Sequence, residues 1–262
     1  MSENEDLERE HRGDPEFMMS LSRGLAVLQC FAEHEQPMTI AQASRMTGIS
    51  RAAVRRCLYT LVTLGYAGQE GQRYVLRPRT LSLGYAFMSS NSLAVRTQPI
   101  LDDLRDELGE SCSLGVMEAD EVHYVARAEA SRIMSIALRA GSRLPLFATS
   151  MGRVLLAGLP RFQQEAYLRR ANLQALTPRT QTDPGTLLEL IAKVGEQGYA
   201  IVDEELELGL RSVAVPIRPA GEVVAALNVG TAVARIPLTD LRTRILPSLR
   251  RGAARLGAVI KA

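Results

Sequence analysis

The features that constrain the fold most lie in residues 39–76, where helix boundaries and a hairpin follow one another at short intervals. Thr39 begins an amphipathic run that Gly48 ends, as expected for a short helix with a side-chain N-cap and a left-handed C-terminus. Ser50 begins a second run of helical period, and Gly65 ends it. Two short β-prone runs around a turn rich in glycine and glutamine come next, and they predict a β-hairpin.

Another helix is predicted before these elements, because apolar residues recur at helical spacing upstream of Pro37. The residues expected on its buried face are Leu21, Leu25, Leu28 and Phe31. Three helices and a hairpin within about 55 residues, with a tight turn between the second and third helices, are typical of a winged helix-turn-helix. We therefore predict a winged helix-turn-helix domain at residues 19–78, after a flexible acidic segment at residues 1–18.

Positive charge is concentrated in this domain. The net charge of the chain is only +2, but residues 21–80 contain eight arginines and three acidic residues. The helix that Ser50 begins presents small and basic side chains on its first turns, and its N-terminus adds a partial positive charge. The predicted contacts with double-stranded DNA are Ser50, Arg51, Ala52, Arg55, Arg56 and, in the hairpin, Arg73. The alternative is a helical bundle with a solvated arginine face.

Residues 79–98 are predicted to form a linker helix, and residues 99–262 a second domain. A helix is expected directly after Pro99, and from Ser113 short runs rich in valine, isoleucine, leucine and alanine indicate strands. The strands are expected at residues 113–117, 122–127, 134–138, 199–202, 212–217 and 223–230. The later helices are expected at residues 150–158, 161–170, 184–197 and 237–259, the last with a kink at Pro247. Helices and strands do not alternate strictly, which favours an α+β domain with an antiparallel sheet over a parallel doubly wound one.

Several classes of protein are excluded by the sequence. Charged residues interrupt every apolar stretch, so no segment reaches the roughly 20 apolar residues of a membrane span. The acidic start also differs from a secretory signal, and we therefore expect a cytoplasmic protein without membrane contact. The three cysteines are not spaced as metal ligands, and the sequence contains no GxSxG, HExxH or P-loop motif. No metal, cofactor or catalytic residue is predicted.

Three places in the second domain could supply donors for a small carboxylate. Residues 149–152 open a helix, whose first amides have no partner within the helix. Ser212 begins one strand, and the polar or small residues that end its neighbour are Asn228, Gly230 and Thr231. Four apolar side chains are expected either in the walls of such a site or in the core, namely Met134, Leu144, Leu146 and Phe147.

The acidic run 203–205 allows two interpretations. Asp203, Glu204 and Glu205 resemble a metal or acid–base cluster, but acids in a turn are more often solvated or paired. Arg211 either pairs with one of these acids or contacts a ligand. Arg139 is a second candidate for a contact with a ligand carboxylate.

Three separated motifs give the sequence a resemblance to a known family. Residues 50–65, residues 138–153 (LRAGSRLPLFATSMGR) and residues 203–217 (DEELELGLRSVAVPI) resemble, in this order, the recognition helix and two signature stretches of IclR-type transcriptional regulators. Around residues 13–25 and 51–58 the chain is most similar to the branch that regulates the β-ketoadipate pathway, in which aromatic acids are broken down.

The resemblance implies more than the residues show by themselves. It implies a GAF-like effector domain after the winged helix, dimers or tetramers, and a small organic acid, aromatic or keto, as the effector. The positions that match effector contacts of the family are the amides of Ser150 and Met151, together with Ser212, Asn228 and Gly230.

We therefore predict a ligand-responsive, DNA-binding transcriptional regulator of aromatic-acid catabolism genes. A homo-oligomer would place two recognition helices on a pseudo-palindromic operator, and the linker helix would transmit the effect of the ligand. One rival is an enzyme with Ser150 or Ser212 as nucleophile, which predicts a histidine beside that serine. The other rival is a sensory module that binds protein through its N-terminal domain, which predicts little salt dependence of binding.

Overall fold

The computed structural model describes residues 10–11, 13–33, 37–83, 93–130 and 138–261. The chain divides into two compact units, Met1–Ser90 and Asn91–Ala262, here called the N-terminal and C-terminal units. Each has a hydrophobic core of its own. Within the described ranges, no helix combines the length and the apolar character that crossing a membrane requires.

The three helices and the hairpin predicted for the N-terminal unit are present among its described residues. They are α1 (Met19–Glu33), α2 (Ile40–Thr47), α3 (Arg51–Thr63), β1 (Ala67–Glu70) and β2 (Arg73–Leu76), followed by a 3₁₀ turn at Pro78–Thr80. The two strands pair antiparallel, with Gly71 and Gln72 in the turn. Helix α2 has the predicted boundaries, because Thr39 and Gln42 form a reciprocal capping box and Gly48 takes a left-handed conformation.

The predicted buried face of α1 is right for Leu28 and Phe31, which pack against the core, and wrong for Leu21 and Leu25. Leu21 and Leu25 are 56% and 50% exposed, whereas Ala26, Val27 and Cys30 are buried against α2 and α3. Helix α1 is apolar on more than one side, so the helical period alone does not determine which side faces the core. Contacts with the two neighbouring helices select the smaller residues, which let the helices approach closely.

The described residues of the C-terminal unit form one six-stranded antiparallel sheet with helices, which confirms the α+β prediction. Its strands are β3 (Ser111–Glu118), β4 (Glu121–Ala128), β5 (Arg143–Pro145), β6 (Ala200–Asp203), β7 (Leu210–Ile217) and β8 (Ala225–Ala232), in the order β5-β4-β3-β8-β7-β6. Its helices are α4 (Leu93–Leu108), α5 (Ser150–Ala157), α6 (Arg161–Arg170), α7 (Pro184–Gln197) and α8 (Leu246–Lys261).

Two cores cover the two faces of this sheet. On one face α4 and α8 pack over a cluster that includes Leu114, Leu227 and Val229. On the other face α5, α6 and α7 pack over a cluster that includes Tyr124 and Ala214. Because side chains alternate along a strand, neighbouring residues of β7 and β8 belong to different cores.

One proline, Pro99, caused an error in the predicted helices, whereas the helix is irregular near Pro247, where a kink was predicted. Helix α4 begins at Leu93 and contains Pro99, so the helix does not start after this proline as predicted. Burial of neighbouring residues, Ile100 and Leu101 among them, offsets the roughly 3 kcal/mol cost of a proline in a helix. At the other end, the helix predicted at residues 237–259 is interrupted by a π-helical turn at Leu241–Ile245, just before Pro247. Pro247 cannot donate a backbone hydrogen bond, and α8 begins there anew.

Two predictions fall partly on residues that the structure does not describe. Residues 84–92 of the predicted linker helix (79–98) and residues 134–137 of a predicted strand (134–138) lie outside the described ranges. Strand β5 was not predicted, because three residues are too short to show an alternating pattern. The helix predicted at residues 184–197 has these boundaries, with Asp183 as N-cap, proline at the first helical position and Gly198 at the C-terminus.

Candidate functional site

The N-terminus of α3 forms a basic surface on the N-terminal unit. Ser50 is its N-cap, and the Ser50 hydroxyl accepts a hydrogen bond from the amide of Ala53 at 3.4 Å. All six residues predicted to contact DNA are exposed, namely Ser50, Arg51, Ala52, Arg55, Arg56 and Arg73. The opposite side of the helix is held by Val54, Leu58 and Leu61, which are buried in the core of the unit. The core therefore fixes the orientation in which the arginines face outward.

The arginines of α3 differ from other arginines of this unit in their contacts. Arg77 lies 3.9 Å from a Glu70 carboxylate oxygen, and the guanidinium of Arg79 lies 5.3 Å from the centre of the Tyr66 ring. In the part of the chain that the structure describes, Arg51, Arg55 and Arg56 have no carboxylate within ion-pair distance. Because the helix N-terminus is itself partially positive, this surface favours a polyanion.

A cavity of about 440 Å³ lies in the C-terminal unit, over the face of the sheet that α5 covers. Four of the five predicted effector contacts line it, namely Ser150, Ser212, Asn228 and Gly230. The fifth, Met151, is fully buried, and its sulfur packs towards Gly115 on the sheet, away from the cavity lining. The residues of the loop 204–209 that line the cavity are Leu206, Glu207, Leu208 and Gly209.

The N-terminus of α5 points at this cavity. Thr149 is the N-cap, and its hydroxyl accepts a hydrogen bond from the Gly152 amide at 3.1 Å while donating one to the Pro145 carbonyl at 3.0 Å. The amides of Ser150 and Met151 precede the helical hydrogen-bond ladder and so have no acceptor within the helix. The Ser150 hydroxyl is buried without a hydrogen-bond partner among the described residues. Backbone amides at a helix N-terminus can hold an anion without a cation.

Three polar side chains form a row across the sheet, and the two outer ones, Arg127 and Asn228, line the cavity. Arg127 of β4, Ser113 of β3 and Asn228 of β8 are cross-strand neighbours in register. Arg127 Nη1 donates to the Ser113 hydroxyl at 2.9 Å. Two atoms at the ends of the row, Arg127 Nε and Asn228 Oδ1, are buried and have no hydrogen-bond partner among the described residues. Buried polar atoms of this kind normally have partners, so the row favours a polar ligand.

Arg127 was missed by the sequence analysis because of a β-bulge. Along β4, Val122, Tyr124, Ala126 and Ala128 are all buried, and this strict alternation would place Arg127 on the opposite face from Tyr124. In the structure Leu114 pairs with Ala126 but Gly115 pairs with Tyr124, so Val125 is an extra residue. The bulge returns Arg127 to the face of Tyr124 and into the cavity. No local signal in the sequence marks this change of phase.

The acidic run 203–205 is paired with arginines. Glu205 binds both terminal nitrogens of Arg153, at 2.7 and 2.6 Å, and only 4% of the Arg153 side chain is exposed. Glu204 pairs with Arg179, and Asp203 pairs with Arg211 at 2.7 and 2.9 Å. These ion pairs favour the interpretation of residues 203–205 as paired acids. They disfavour a metal site or an acid–base cluster there.

The ion pairs of these acids also hold parts of the cavity wall together. Arg153 lies on α5 and Glu205 in the loop 204–209, so their ion pair ties together two parts of the wall. Arg211 is engaged by Asp203 and by the Ile236 carbonyl at 2.9 Å, in accordance with its interpretation as a structural residue. Arg139 is exposed and is absent from the described lining of the cavity.

Of the two alternatives for the four apolar residues, walls or core, the structure favours the core for the three that it describes. Leu146 and Phe147 are buried in the core, and Leu144 packs against the same cluster, so these three residues are core. Met134 lies outside the described residues. The apolar and aromatic side chains that line the cavity are Tyr124, Leu138, Val202, Leu206, Leu208 and Leu210.

Burial sets the protonation of Tyr124, which lines the cavity, and of Cys112, which lies in the core on the opposite face of the sheet. It raises the pKa of Tyr124 to about 12, an effect that the positive charge of Arg127 and a hydrogen bond from Asn228 oppose. It also raises the pKa of the Cys112 thiol to about 12, again against the charge of Arg127. At neutral pH both groups are therefore neutral, and Arg127 is not neutralised by either of them.

Comparison with known proteins identifies the family. The profile described as the IclR helix-turn-helix domain matches residues 20–71, and that described as the bacterial transcriptional regulator IclR C-terminal domain matches residues 85–257. The Pca regulon regulatory protein of Pseudomonas putida is 51% identical over 239 residues, which cover 90% of this chain and 82% of the relative. The p-hydroxybenzoate hydroxylase transcriptional activator of Acinetobacter baylyi is 36% identical, with 92% and 91% of the two chains covered.

Solved structures agree with this assignment. A transcriptional regulator from Rhodococcus sp. RHA1 has a TM-score of 0.82 at 45% identity, covering 93% of this chain and 98% of that one. An IclR homologue from Microbacterium hydrocarbonoxydans, complexed with 4-hydroxybenzoate, has a TM-score of 0.79 at 25% identity, covering 92% and 99%. Since the relatives are regulators, the prediction of a regulator rather than an enzyme is confirmed. The chain belongs to the IclR family of bacterial transcriptional regulators.

Proposed function

We propose that this regulator controls genes for the catabolism of aromatic acids, binding its operator through the N-terminus of α3 and a small organic acid in the cavity of the C-terminal unit. The observation that carries the proposal is the set of exposed arginines on the first two turns of α3, held outward by the buried side of the same helix. Their guanidinium groups suit both phosphate oxygens and the edges of guanine in the major groove.

The number of chains follows from the geometry of DNA. One α3 covers only a few base pairs, whereas two copies related by a two-fold axis read half-sites about 34 Å apart on one face of the duplex. We therefore propose a homodimer, or a dimer of dimers, on a pseudo-palindromic operator. Ligand binding would shift the populations of its arrangements and so the affinity for DNA.

The ligand class is supported by the relatives and by the cavity. The two relatives described above are named for the Pca regulon and for p-hydroxybenzoate hydroxylase, and one similar structure contains 4-hydroxybenzoate. A volume of about 440 Å³ is in the range of small-molecule sites, and the lining combines apolar walls with a few polar groups. An aromatic or keto acid matches this combination.

The DNA interface can be tested with an operator that the protein itself selects from a pool of random duplexes. Fluorescence anisotropy then gives the dissociation constant over a series of salt concentrations. We expect replacement of Arg51, Arg55 and Arg56 by alanine to reduce the slope of log K against log salt by up to about 3, since each phosphate contact contributes about 0.9.

The matched control removes three exposed arginines from the C-terminal unit, Arg218, Arg242 and Arg244, with the same change in net charge. We expect it to retain nearly the wild-type slope. Equal effects of the two triple variants would show that only overall charge matters and would contradict the assignment of α3. Failure of wild-type protein to select DNA would favour the rival in which the N-terminal unit binds protein.

The ligand can be tested by thermal denaturation of the full chain with protocatechuate, 4-hydroxybenzoate, β-ketoadipate and unrelated acids. A ligand at 100 times its dissociation constant stabilises the folded state by about 2.7 kcal/mol. We expect one of the named acids to raise the melting temperature and to change DNA affinity. No response to any of them would contradict the proposed class. Turnover of the acid would instead support the enzyme rival, which needs a histidine that the described lining does not contain.

A further inference from the structure

We propose that Arg127 is the residue that recognises the carboxylate of the ligand. This inference rests on the proposed function, because it assumes that the cavity binds an organic acid. Arg127 lies at one end of the polar row on the sheet, and it lines the same cavity as Asn228 at the other end and Ser150 at the N-terminus of α5. No motif pointed to it, since its orientation depends on the bulge at Val125.

Arg127 has no acidic partner among the described residues. The Nε atom of Arg127 is buried and has no hydrogen-bond partner among the described residues, and no described carboxylate lies within ion-pair distance of this guanidinium. The Arg127 side chain as a whole is partly exposed at the cavity, but a buried donor without a partner is unfavourable. An anion that enters the cavity would remove this penalty, so the site is electrostatically prepared for one.

The guanidinium of Arg127 is held in one orientation by Ser113. Ser113, whose side chain is fully buried, accepts from Nη1 at 2.9 Å and so fixes the plane of the group. The edge formed by Nε and Nη2 is the one opposite to this bond, and it matches the two oxygens of a carboxylate. A fixed fork binds with a smaller loss of side-chain entropy than a flexible one.

The other arginine that lines the cavity, Arg235, already has a carboxylate partner. Arg235 also lines it, but its Nε and Nη2 atoms bind the two carboxylate oxygens of Glu110 at 2.9 and 2.5 Å. Glu110 is only 3% exposed and the Arg235 side chain 38% exposed, so Arg235 neutralises a buried carboxylate. Drawing Arg235 towards a ligand would leave the Glu110 carboxylate buried alone, which disfavours Arg235 as the anchor.

The remaining unpaired atoms specify the rest of the ligand. Asn228 Oδ1 is an acceptor and the Ser150 hydroxyl can donate or accept, and both are buried at the cavity without partners among the described residues. A hydroxyl group on the ligand can satisfy such an acceptor, which a carboxylate cannot do. The structure therefore assigns to the site a hydroxylated carboxylic acid, bound through its carboxylate to Arg127.

The test compares acids with their uncharged amides, using isothermal titration of the full chain. The probes are 4-hydroxybenzoate and protocatechuate, each with the corresponding benzamide, which keeps the ring and its hydroxyls but removes the charge. We expect wild-type protein to prefer the better-bound acid over its amide by at least about tenfold. The variant Arg127→Gln should bind that acid about tenfold to hundredfold more weakly and bind the amide with nearly unchanged affinity.

Three variants accompany it. Arg127→Lys keeps the charge but not the fork, and an intermediate loss of acid binding is expected. The double variant Glu110→Gln with Arg235→Gln removes the rival arginine without leaving a lone carboxylate, and it should keep the preference for acid. Arg139→Gln changes an exposed arginine outside the described lining and serves as the neutral control. Operator binding by each variant shows that the chain is folded.

The outcomes separate this inference from the proposed function. If wild-type protein binds neither acid nor amide, the inference of a hydroxylated acid is overturned, and the proposed function is then decided by the melting test with β-ketoadipate. If wild-type protein binds acid but Arg127→Gln binds acid equally well, or weakens acid and amide alike, the inference is overturned and the proposed function stands. Should Arg127→Gln not fold, absence of the acid preference in wild-type protein would overturn the inference by itself.

Discussion

Replacing Gly152 by alanine tests how rigidly α5 is held over the sheet. A Cβ atom at this position would lie 2.1 Å from the carbonyl oxygen of Leu146 and 2.4 Å from its Cα. Carbon atoms in contact lie about 3.5–4.0 Å apart, so the helix must shift by more than about 1 Å. The obstacle is backbone, which cannot rotate away as a flexible side chain would.

The expected cost follows from burial. The first seven residues of α5, Ser150 to Leu156, are buried, so the displacement is transmitted to the cores around the helix. Overpacking of this kind costs about 1–3 kcal/mol, and the better helix propensity of alanine returns at most about 1 kcal/mol. Because a whole helix must move, we expect a net loss of about 2 kcal/mol, or about 4–8 °C in the melting temperature of a unit of this size.

Gly195 provides a matched control for this variant. It lies in α7 of the same unit, and a Cβ atom there would meet only the Ala157 carbonyl oxygen, at 3.9 Å. Gly195→Ala should therefore stabilise the protein by about 0.5–1 kcal/mol. Circular dichroism melting of both variants measures the difference. A Gly152→Ala protein as stable as wild type, or the same shift in both variants, would refute the argument from close backbone contact.

Two further predictions concern the cavity and its surroundings. Ser212→Leu should fill the cavity and abolish the melting shift caused by the effector, while operator affinity is retained. Thr243→Leu, at an exposed site, is the control. A normal melting shift in Ser212→Leu would contradict the proposed site. Burial raises the pKa of Tyr124, Tyr167 and Cys112 each to about 12, from ordinary values of 10.0, 10.0 and 9.0. The unfolded chain therefore loses these protons first, and the contribution of these three groups to the free energy of unfolding should be constant below about pH 8 and fall between pH 9 and 12. Urea unfolding at pH 8 and pH 11 measures this, Tyr124→Phe should reduce the fall, and a midpoint independent of pH would contradict it.

Local signals predicted much of the fold. The caps at Thr39, Ser50 and Asp183 were found because each depends on a side chain within three residues of the helix start. The same holds for Gly48 and Gly198, whose left-handed conformation is a property of the residue itself. The exposed arginines of α3 were found for a related reason, since their orientation follows from the helical period.

Long-range effects account for what the sequence did not show. The buried side of α1 depends on the neighbouring helices, and the orientation of Arg127 depends on a register shift between two strands. Pairing of Arg153 with Glu205 joins residues 52 positions apart, and neither residue carries a local mark of its partner. The residue pattern and the family resemblance thus identified Ser212 and Asn228 as cavity residues. Arg127 is the only cation among the described lining residues that no carboxylate neutralises, and it was found only in the structure.

The extra residue at Val125 has a consequence for anyone who wishes to alter what this regulator senses. Upstream of it, the even-numbered positions of β4 look toward the effector side; downstream of it, the odd-numbered ones do. A mutant library that varies position 127 together with positions 212 and 228 would therefore diversify the receptor chamber while sparing Ala126 and Ala128, which belong to the opposite core. A library designed on uniform alternation would instead mutate those two alanines and lose folded protein before it found new specificity.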